Sequence, residues 1–260
     1  MNLKEENWKL YIKWIEQANS GRAAARNKGA EIASSDILLF LDDDTIPESN
    51  VVFRHFQHHQ EGNSVLVGNH PVIASKSDHD FQKFRQYLSK KWLRKLPSTT
   101  EQPIPADRPF LTAAHFSIKK SLFNELGGFD QRLSDSEDFE LAIRLIKRNN
   151  PIYFDRKLIA VHFDNVDLKG YIARLREYKK ANDELLAKGD ENPLIRNKYH
   201  SYNDINIFKK VTYGMLCRNT VLSIVDRSPQ WIKIIPLQLR FKIYDLLITG
   251  YSSYFPQLKI

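Results

Sequence analysis

Three consecutive aspartates, Asp42-Asp43-Asp44, follow directly on the apolar run Ile37–Leu41. Adjacent carboxylates repel one another, and apolar walls strengthen the repulsion. A positive partner is expected among them. In an extended segment Asp42 and Asp44 project to one side and Asp43 to the other. Two convergent carboxylates suit a hard divalent cation, Mg2+ or Mn2+, which can bridge to phosphate oxygens. A solvated turn or the acidic first turn of a helix explains an isolated DDD equally well. The preceding apolar strand favours a site, because open α/β sheets bind ligands at the carboxyl ends of their strands.

The segment SDSEDFELAIRL, Ser134–Leu145, offers a second carboxylate pair, Glu137 and Asp138. It follows the Gly127-Gly128 turn and opens a helix, where the dipole stabilises negative charge. Such a group can take a proton from an incoming hydroxyl; it can also simply cap the helix. His162 closes the apolar run LIAVH. A neutral imidazole there is either a satisfied structural group or a ligand for a borderline metal such as Mn2+. Arg22 and Arg26 flank three alanines, so they can meet a diphosphate or pair with surface carboxylates. His55, His58 and His59 also have helical spacing. No carboxylate stands among them, and they read as a solvated helix face.

These groups need a scaffold that gathers strand ends and helix starts. Ile37–Leu41 reads as a strand buried on both faces of a parallel sheet. Val65–Val67, Pro151–Phe154 and Leu158–Val161 read as further strands, and Leu111–Ile118 alternates loosely. Helices are predicted over Glu5–Gln17, within GRAAARNKGAEIA, and over Val51–His59, Phe81–Leu96, Lys119–Leu126 and Glu137–Lys147. Thr45–Asn50 reads as a turn, with Pro47 and Glu48 suited to a helix's first turn. Strand–helix alternation up to Asp164 argues an α/β class, and the pattern beyond Leu168 is mainly helical.

Composition agrees with a folded chain: of 260 residues, 42% are hydrophobic and 27% charged. No apolar run reaches the eighteen or so residues of a spanning helix, and the charged start lacks a signal-peptide core. Cys217 is the one cysteine. It cannot form an internal disulfide, which fits a reducing, cytoplasmic compartment. The formal charge of +8 is uneven: residues 165–260 hold 16 Lys and Arg against 9 Asp and Glu. The chain therefore divides into a balanced region, 1–164, and a basic, mainly helical region, 165–260. The latter interleaves Trp, Tyr and basic residues with aliphatics. That pattern suits an anionic membrane surface, at the inner face of the membrane, as well as a helical layer packed on the first region.

Taken in order, these segments resemble glycosyltransferase family 2, the inverting enzymes of the GT-A fold. GRAAARNKGAEIASSDILLFLDDDTIP is similar to the family's stretch of Ala-Arg-Asn, helix, strand and Asp-x-Asp. FLTAAHFSIKKSLFNELGGFDQRLSDSEDFELAIRL resembles its acceptor-side segment, and LIAVH its late, histidine-ending strand. The likeness covers Gly21–Asp164. It implies a GT-A-like (Rossmann-like) mixed sheet flanked by helices, with a mainly helical C-terminal extension. It implies transfer of a sugar from a nucleotide-diphosphate donor to a saccharide or lipid-linked acceptor, with Mn2+ or Mg2+ as cofactor. Asp44, Asp42 and His162 would then hold the metal, with Asp42 or Asp43 near the ribose and Arg26 near the nucleotide. Gly128 would let the backbone approach the sugar, Asp138 would be the catalytic base, and Glu137 would orient the acceptor. His115 stands where the family often has a small or amide residue near the acceptor.

The family usually opens with a strand, a helix and a second strand that hold much of the nucleotide base. Only one helix-like segment precedes Gly21 here, so the resemblance implies an N-terminally incomplete domain. That raises three readings: a truncated or split gene product, a partner chain completing the half-site, or a non-catalytic remnant serving as a binding or scaffold subunit. Nucleic-acid binding is disfavoured by the lack of zinc spacing, RNA-binding aromatics or a helix-turn-helix. A nucleotidyltransferase would carry a Gly-rich, Lys-containing phosphate loop near its start.

Overall fold

The computed structural model describes residues 12–72, 80–187, 205–227 and 230–260. Five strands form one mixed sheet: Ile37–Leu41 (β1), Thr45–Pro47 (β2), Val65–Asn69 (β3), His115–Lys119 (β4) and Tyr153–His162 (β5). Their order is β1-β4-β3-β5-β2. β4 runs antiparallel to both β1 and β3, β3 and β5 are parallel, and β2 is antiparallel to β5.

Alternation along the strands sends side chains to two unlike faces. Val65 and Val67 of β3, with Phe116 and Ile118 of β4, enter the larger core. Three helices cover that face: Gly21–Ile32 (α1), Lys120–Glu125 (α4) and Glu137–Lys147 (α5). α1 is rich in alanine, a strong helix former, and buries Ala23 and Ala30. Phe40 of β1 stacks on Phe116 with ring centroids 4.8 Å apart. Such a pair adds about 0.5–1.5 kcal/mol beyond its buried area.

The opposite face carries Leu66, His115 and Ser117 beneath Val51–Gln60 (α2). This helix inverts the usual amphipathic arrangement. Val52 is 68% exposed and Phe56 50%, whereas His55 is 1% exposed and His58 and His59 are also buried. The solvated histidine face read from the sequence is thus corrected. The imidazoles are buried because each finds polar partners. Ser117 Oγ bonds His55 Nδ1 (2.7 Å) and His59 Nε2 (2.8 Å), His55 Nε2 meets His115 Nε2 (3.1 Å), and His58 Nε2 reaches the Val65 carbonyl (3.2 Å).

Other local expectations also change. β1 is an end strand of this sheet, antiparallel to β4, and Leu38 alone in it is buried; it is not enclosed within a parallel sheet. Thr45–Pro47 pairs with β5 as a strand, where the sequence suggested a turn. The two strands expected at Pro151–Phe154 and Leu158–Val161 are one, with its register against β3 shifting between Gly68 and Asn69 to absorb the polar residues between them. Residues 12–20 carry no regular structure, so the helix expected over Glu5–Gln17 is absent there; its Trp8 and Tyr11 lie outside the described residues. Regular pairing of Leu111–Ile118 begins only at His115.

A second core joins Asp80–Leu93 (α3) to the C-terminal helices Leu168–Ala187 (α6), Asn219–Arg227 (α8) and Leu237–Thr249 (α9), and Leu216 at the end of Ile207–Leu216 (α7) packs against it. Phe81 and Phe84 of α3 pack on Tyr244 of α9 with centroids 5.4 and 5.5 Å apart. Asp80 and Arg240 form a buried ion pair between the same two helices. Asp164, just past β5, receives Arg85 of α3 (2.7 Å) and Arg174 of α6 (2.6 Å). Burial pushes the Asp164 carboxyl up, but the two guanidiniums outweigh it and hold the group below its usual range. This network locks the helical layer to the end of the sheet that bears the aspartates.

Candidate active site

The strand β1 stops at Leu41, and the chain turns at once. The Asp42 carbonyl accepts from Thr45 N (3.2 Å) and Thr45 Oγ1 (2.6 Å), while Asp42 N donates to the Ala114 carbonyl (3.4 Å). The extended geometry assumed for the triple aspartate is therefore replaced by a tight turn, and its members take different partners. Asp42 Oδ1 accepts from Arg26 Nη2 at 2.6 Å. Asp44 Oδ2 meets His162 Nε2 at 3.0 Å. Asp43 is exposed and has no hydrogen-bond or ion-pair partner among the described residues.

His162 is held from both sides. It pairs with Thr45 in the β2–β5 ladder, and its N–H donates to the Pro71 carbonyl at 3.1 Å. Phe163 N donates to the Asp44 carbonyl at 2.9 Å, which fixes the aspartate's backbone as well. Two residues 118 positions apart are thus set facing each other by strand pairing alone.

α1 closes the site from the side. Besides Asp42, Arg26 donates through Nη1 to Glu137 Oε1, and Arg22, one turn earlier, pairs with Asp135. The guanidinium of Arg26 is the positive partner that the aspartates require. Asn27, next along α1, grips the turn before α5: its Nδ2 donates to the Phe129 carbonyl (2.8 Å) and its Oδ1 accepts from Phe129 N (2.9 Å). Gly128 sits there at φ +71°, and a Cβ on it would lie 2.7 Å from Asn27 Oδ1. The room its missing side chain leaves is taken by Asn27.

Ser136, which adopts the left-handed conformation (φ 61°), immediately precedes α5, and the helix presents Glu137 and Asp138 in its first turn. Asp138 Oδ1 accepts from Phe139 N (2.7 Å) and Oδ2 from Ala113 N (3.3 Å). Part of the residue reaches solvent, yet dense surrounding protein and the neighbouring Glu137 charge push its pKa up to about 6. The two backbone donors oppose that rise without cancelling it. Ala113 and Ala114 therefore tie Asp138 and Asp42 to one short segment, which holds the α5 carboxylate beside the end of β1.

A histidine not singled out from the sequence joins this group. His70 follows β3, and its ring lies 6.4 Å from those of both His162 and Phe110. Burial, then the neighbouring His162 and His115, push its pKa down to about 4, although the Gly68 carbonyl and Asp42 favour its protonated form. Its Nδ1 is buried and completes no hydrogen bond among the described residues. The signal was present: VLVGNH is an apolar strand ending in histidine, as is LIAVH. His115, in contrast, turns away toward α2. Its ring packs on Gly68, where a Cβ would lie 2.1 Å from it, and Nδ1 meets the Asn69 carbonyl at 3.3 Å.

Whether these groups suit a divalent cation can be tested on their spacing. Adjacent donors on an octahedral ion with bonds of about 2.1 Å stand about 3 Å apart, and Asp44 Oδ2 and His162 Nε2 are 3.0 Å apart. A carboxylate with an imidazole suits Mn2+ or Mg2+ when oxygen ligands from a diphosphate complete the shell. Among the described residues no group of three His, Cys, Asp or Glu side chains is arranged to enclose an ion. Asp42 is engaged by Arg26.

A family model described as "Glycosyltransferase like family 2" matches residues 1–204. The pre-mycofactocin glycosyltransferase of Mycobacterium tuberculosis is 24% identical over 165 residues, which are 62% of this chain and 34% of that protein. An uncharacterized glycosyltransferase of Haemophilus influenzae is 25% identical over 177 residues, covering 62% of this chain and 57% of that one. The chain thus spans roughly a third to somewhat over half of these curated relatives. Among solved structures, the mannosyltransferase PcManGT from Pyrobaculum calidifontis, in complex with GDP-Man and Mn2+, aligns with a TM-score of 0.51. At 12% identity it covers 88% of this chain and 65% of its own, which establishes a GT-A-like fold.

Proposed function

Because the chain belongs to glycosyltransferase-like family 2, we propose that it transfers a sugar from a nucleotide-diphosphate donor to a hydroxyl acceptor with inversion. The observation that carries this reading is the convergence of Asp44–His162, Asp42–Arg26–Glu137 and Asp138 on one end of the sheet. Residues 1–164 form the catalytic region in this reading, and the basic residues 165–260 support it and face an anionic membrane surface. Among the described residues no helix is long and apolar enough to cross a membrane.

Asp44 and His162 would hold a divalent cation, Mn2+ or Mg2+. When bound, it supplies charge neutralisation to the departing diphosphate. Arg26, already between two carboxylates, orients the Asp42 carboxylate toward the nucleotide's ribose, and Asp43 lies free beside it. Asp138 accepts the proton of the acceptor hydroxyl as that oxygen attacks the anomeric carbon from the face opposite the leaving diphosphate. The carbon–oxygen bond to the diphosphate breaks as the new one forms, so a single displacement inverts the centre. The raised pKa of Asp138 suits this role, since a base titrating near 6 is ionised at neutral pH and still proton-accepting. The hydrogen bonds from Ala113 and Phe139 fix the carboxylate's direction. Glu137, held by Arg26, orients the acceptor.

Calorimetry with GDP or UDP in the presence and absence of Mn2+ tests the proposal. Metal-dependent binding that Asp44→Ala weakens by at least tenfold is the expected result. Absence of binding to any nucleoside diphosphate would replace it with the alternative of a scaffold subunit completed by a partner chain.

A further inference from the structure

Next to the catalytic residues lies a cavity of about 580 Å³, within the range of small-molecule sites. α3 forms one wall and α6 another, with Phe154 of β5 and Phe110 between them. It meets the catalytic cluster at two points. His70 lines the cavity and its ring neighbours His162. Tyr178 lines it from α6 and is close enough to Asp135 and Asp138 to feel their charge.

The lining has an unusual chemistry for a site beside so many carboxylates. None of the described residues that line it is acidic, whereas Arg85, Lys91 and Lys95 are cationic. Arg85 is already committed to Asp164 and to the Tyr171 ring. Lys91 and Lys95 are exposed, and neither forms an ion pair among the described residues. Beside them Trp92 meets Phe110 edge-on, with centroids 4.1 Å apart, and Phe110 in turn stacks on His70. Flat aromatic faces take the apolar face of a sugar ring, and unpaired lysines take an anion.

We infer that this cavity is the acceptor arm of the site and that the acceptor is a saccharide bearing a phosphate or diphosphate group. The sugar lies on the Trp92–Phe110 wall, and Lys91 and Lys95 meet its anion. The inference rests on the transferase reading for the identity of the bound molecule as acceptor. The cavity and its charge stand independently of it.

Calorimetry on the full chain uses glucose 1-phosphate, mannose 1-phosphate and a short-chain prenyl-diphospho-N-acetylglucosamine, each against its uncharged sugar, with inorganic phosphate and diphosphate as bare anions. At least one phosphorylated sugar should bind about tenfold tighter than its neutral counterpart, and more tightly than either bare anion. The Lys91→Ala/Lys95→Ala variant should lose about tenfold for that probe, and high salt should do the same to the native chain. Trp92→Ala should weaken charged and uncharged sugars alike. Stronger binding of the prenyl-linked probe supports a lipid-linked source of the phosphate, and parity with the sugar 1-phosphates supports a free one. Equal affinity for charged and neutral sugars, no binding of any phosphorylated sugar, or an unaffected double-lysine variant overturns the inference. So does displacement of the sugar phosphate by GDP, which would assign the cavity to the donor. GDP or UDP binding with Mn2+ should stay within about twofold in the double-lysine variant. Its absence from the native chain would sink the transferase reading alone, leaving the cavity to be judged on the sugar phosphates.

Discussion

A single carboxyl group, Asp138, connects the chemistry to a measurable cost. Its pKa is pushed up to about 6, first by burial and then by Glu137. As the proposed base it would work ionised, so kcat/KM for transfer should rise with pH and reach half its plateau near pH 6. A profile flat from pH 5 to 8 would remove the assignment. Asp138→Asn should abolish transfer while leaving nucleotide affinity within about threefold. The same substitution has a stability consequence whose sign follows from the direction of the shift. A carboxyl whose folded pKa exceeds its unfolded value carries a penalty when ionised in the fold, fully present above pH 6 and gone below about pH 4. The Asn variant should therefore unfold a few degrees later than the native chain at pH 8, and at the same temperature near pH 4. Thermal melts across that range decide it.

Elements, rather than single residues, determine which groups meet. β2 is three residues long, yet its pairing with β5 is what sets Asp44 opposite His162. α1 supplies Arg26 to two carboxylates and, one residue on, Asn27 to the turn that launches α5. Gly127 and Gly128 both have positive φ, but only Gly128 has a neighbour in its Cβ space. Gly127→Ala should cost about 1 kcal/mol of backbone strain. Gly128→Ala should cost about 2 kcal/mol or more, because Asn27 must also move. Equal urea midpoints for the two variants would contradict the role given to Asn27. At α2 the amphipathic rule failed for a physical reason. Histidine has two hydrogen-bonding nitrogens, and a polar strand face bearing Ser117 and His115 can satisfy them in the dry. That strand face is not visible from the helix's own ten residues.

At the scale of the whole molecule, the buried histidines make the fold acid-sensitive. His55 is pushed down to about 2, and His59, His70 and His115 to about 4, in each case mainly by burial. Above pH 6.5 both folded and unfolded chains keep these groups neutral. Below it the unfolded chain takes up protons that the fold refuses, at roughly 1.4 kcal/mol per pH unit for each group. Stability should fall steadily from pH 6.5 toward pH 4. Asp138 and Asp226, both raised, work in the opposite direction, but with His58 also lowered they are two groups against five. The urea midpoint measured between pH 7.5 and 5 should drop, and His55→Gln/His59→Gln should flatten the slope. A midpoint constant over that range would contradict neutral burial. The second core matters at this scale too. α3 comes from within residues 1–164 but packs with α6, α8 and α9, and so braces the cavity beside the site.

The chain's own pattern determined the chemistry-bearing residues and the class of fold. An apolar strand running into aspartates, a Gly-Gly turn before Glu137-Asp138 and a strand ending in His162 are local signals, written in contiguous residues. The tertiary structure alone decided partnership. Which aspartate faces Arg26 and which faces His162, that Asn27 fills the space at Gly128, that β1 lies at the end of the sheet and that α2 turns its histidines inward all depend on groups 16 to 118 residues away. Periodicity reports which face of an element is apolar. Only packing decides whether a polar face has found enough hydrogen-bond partners to leave water.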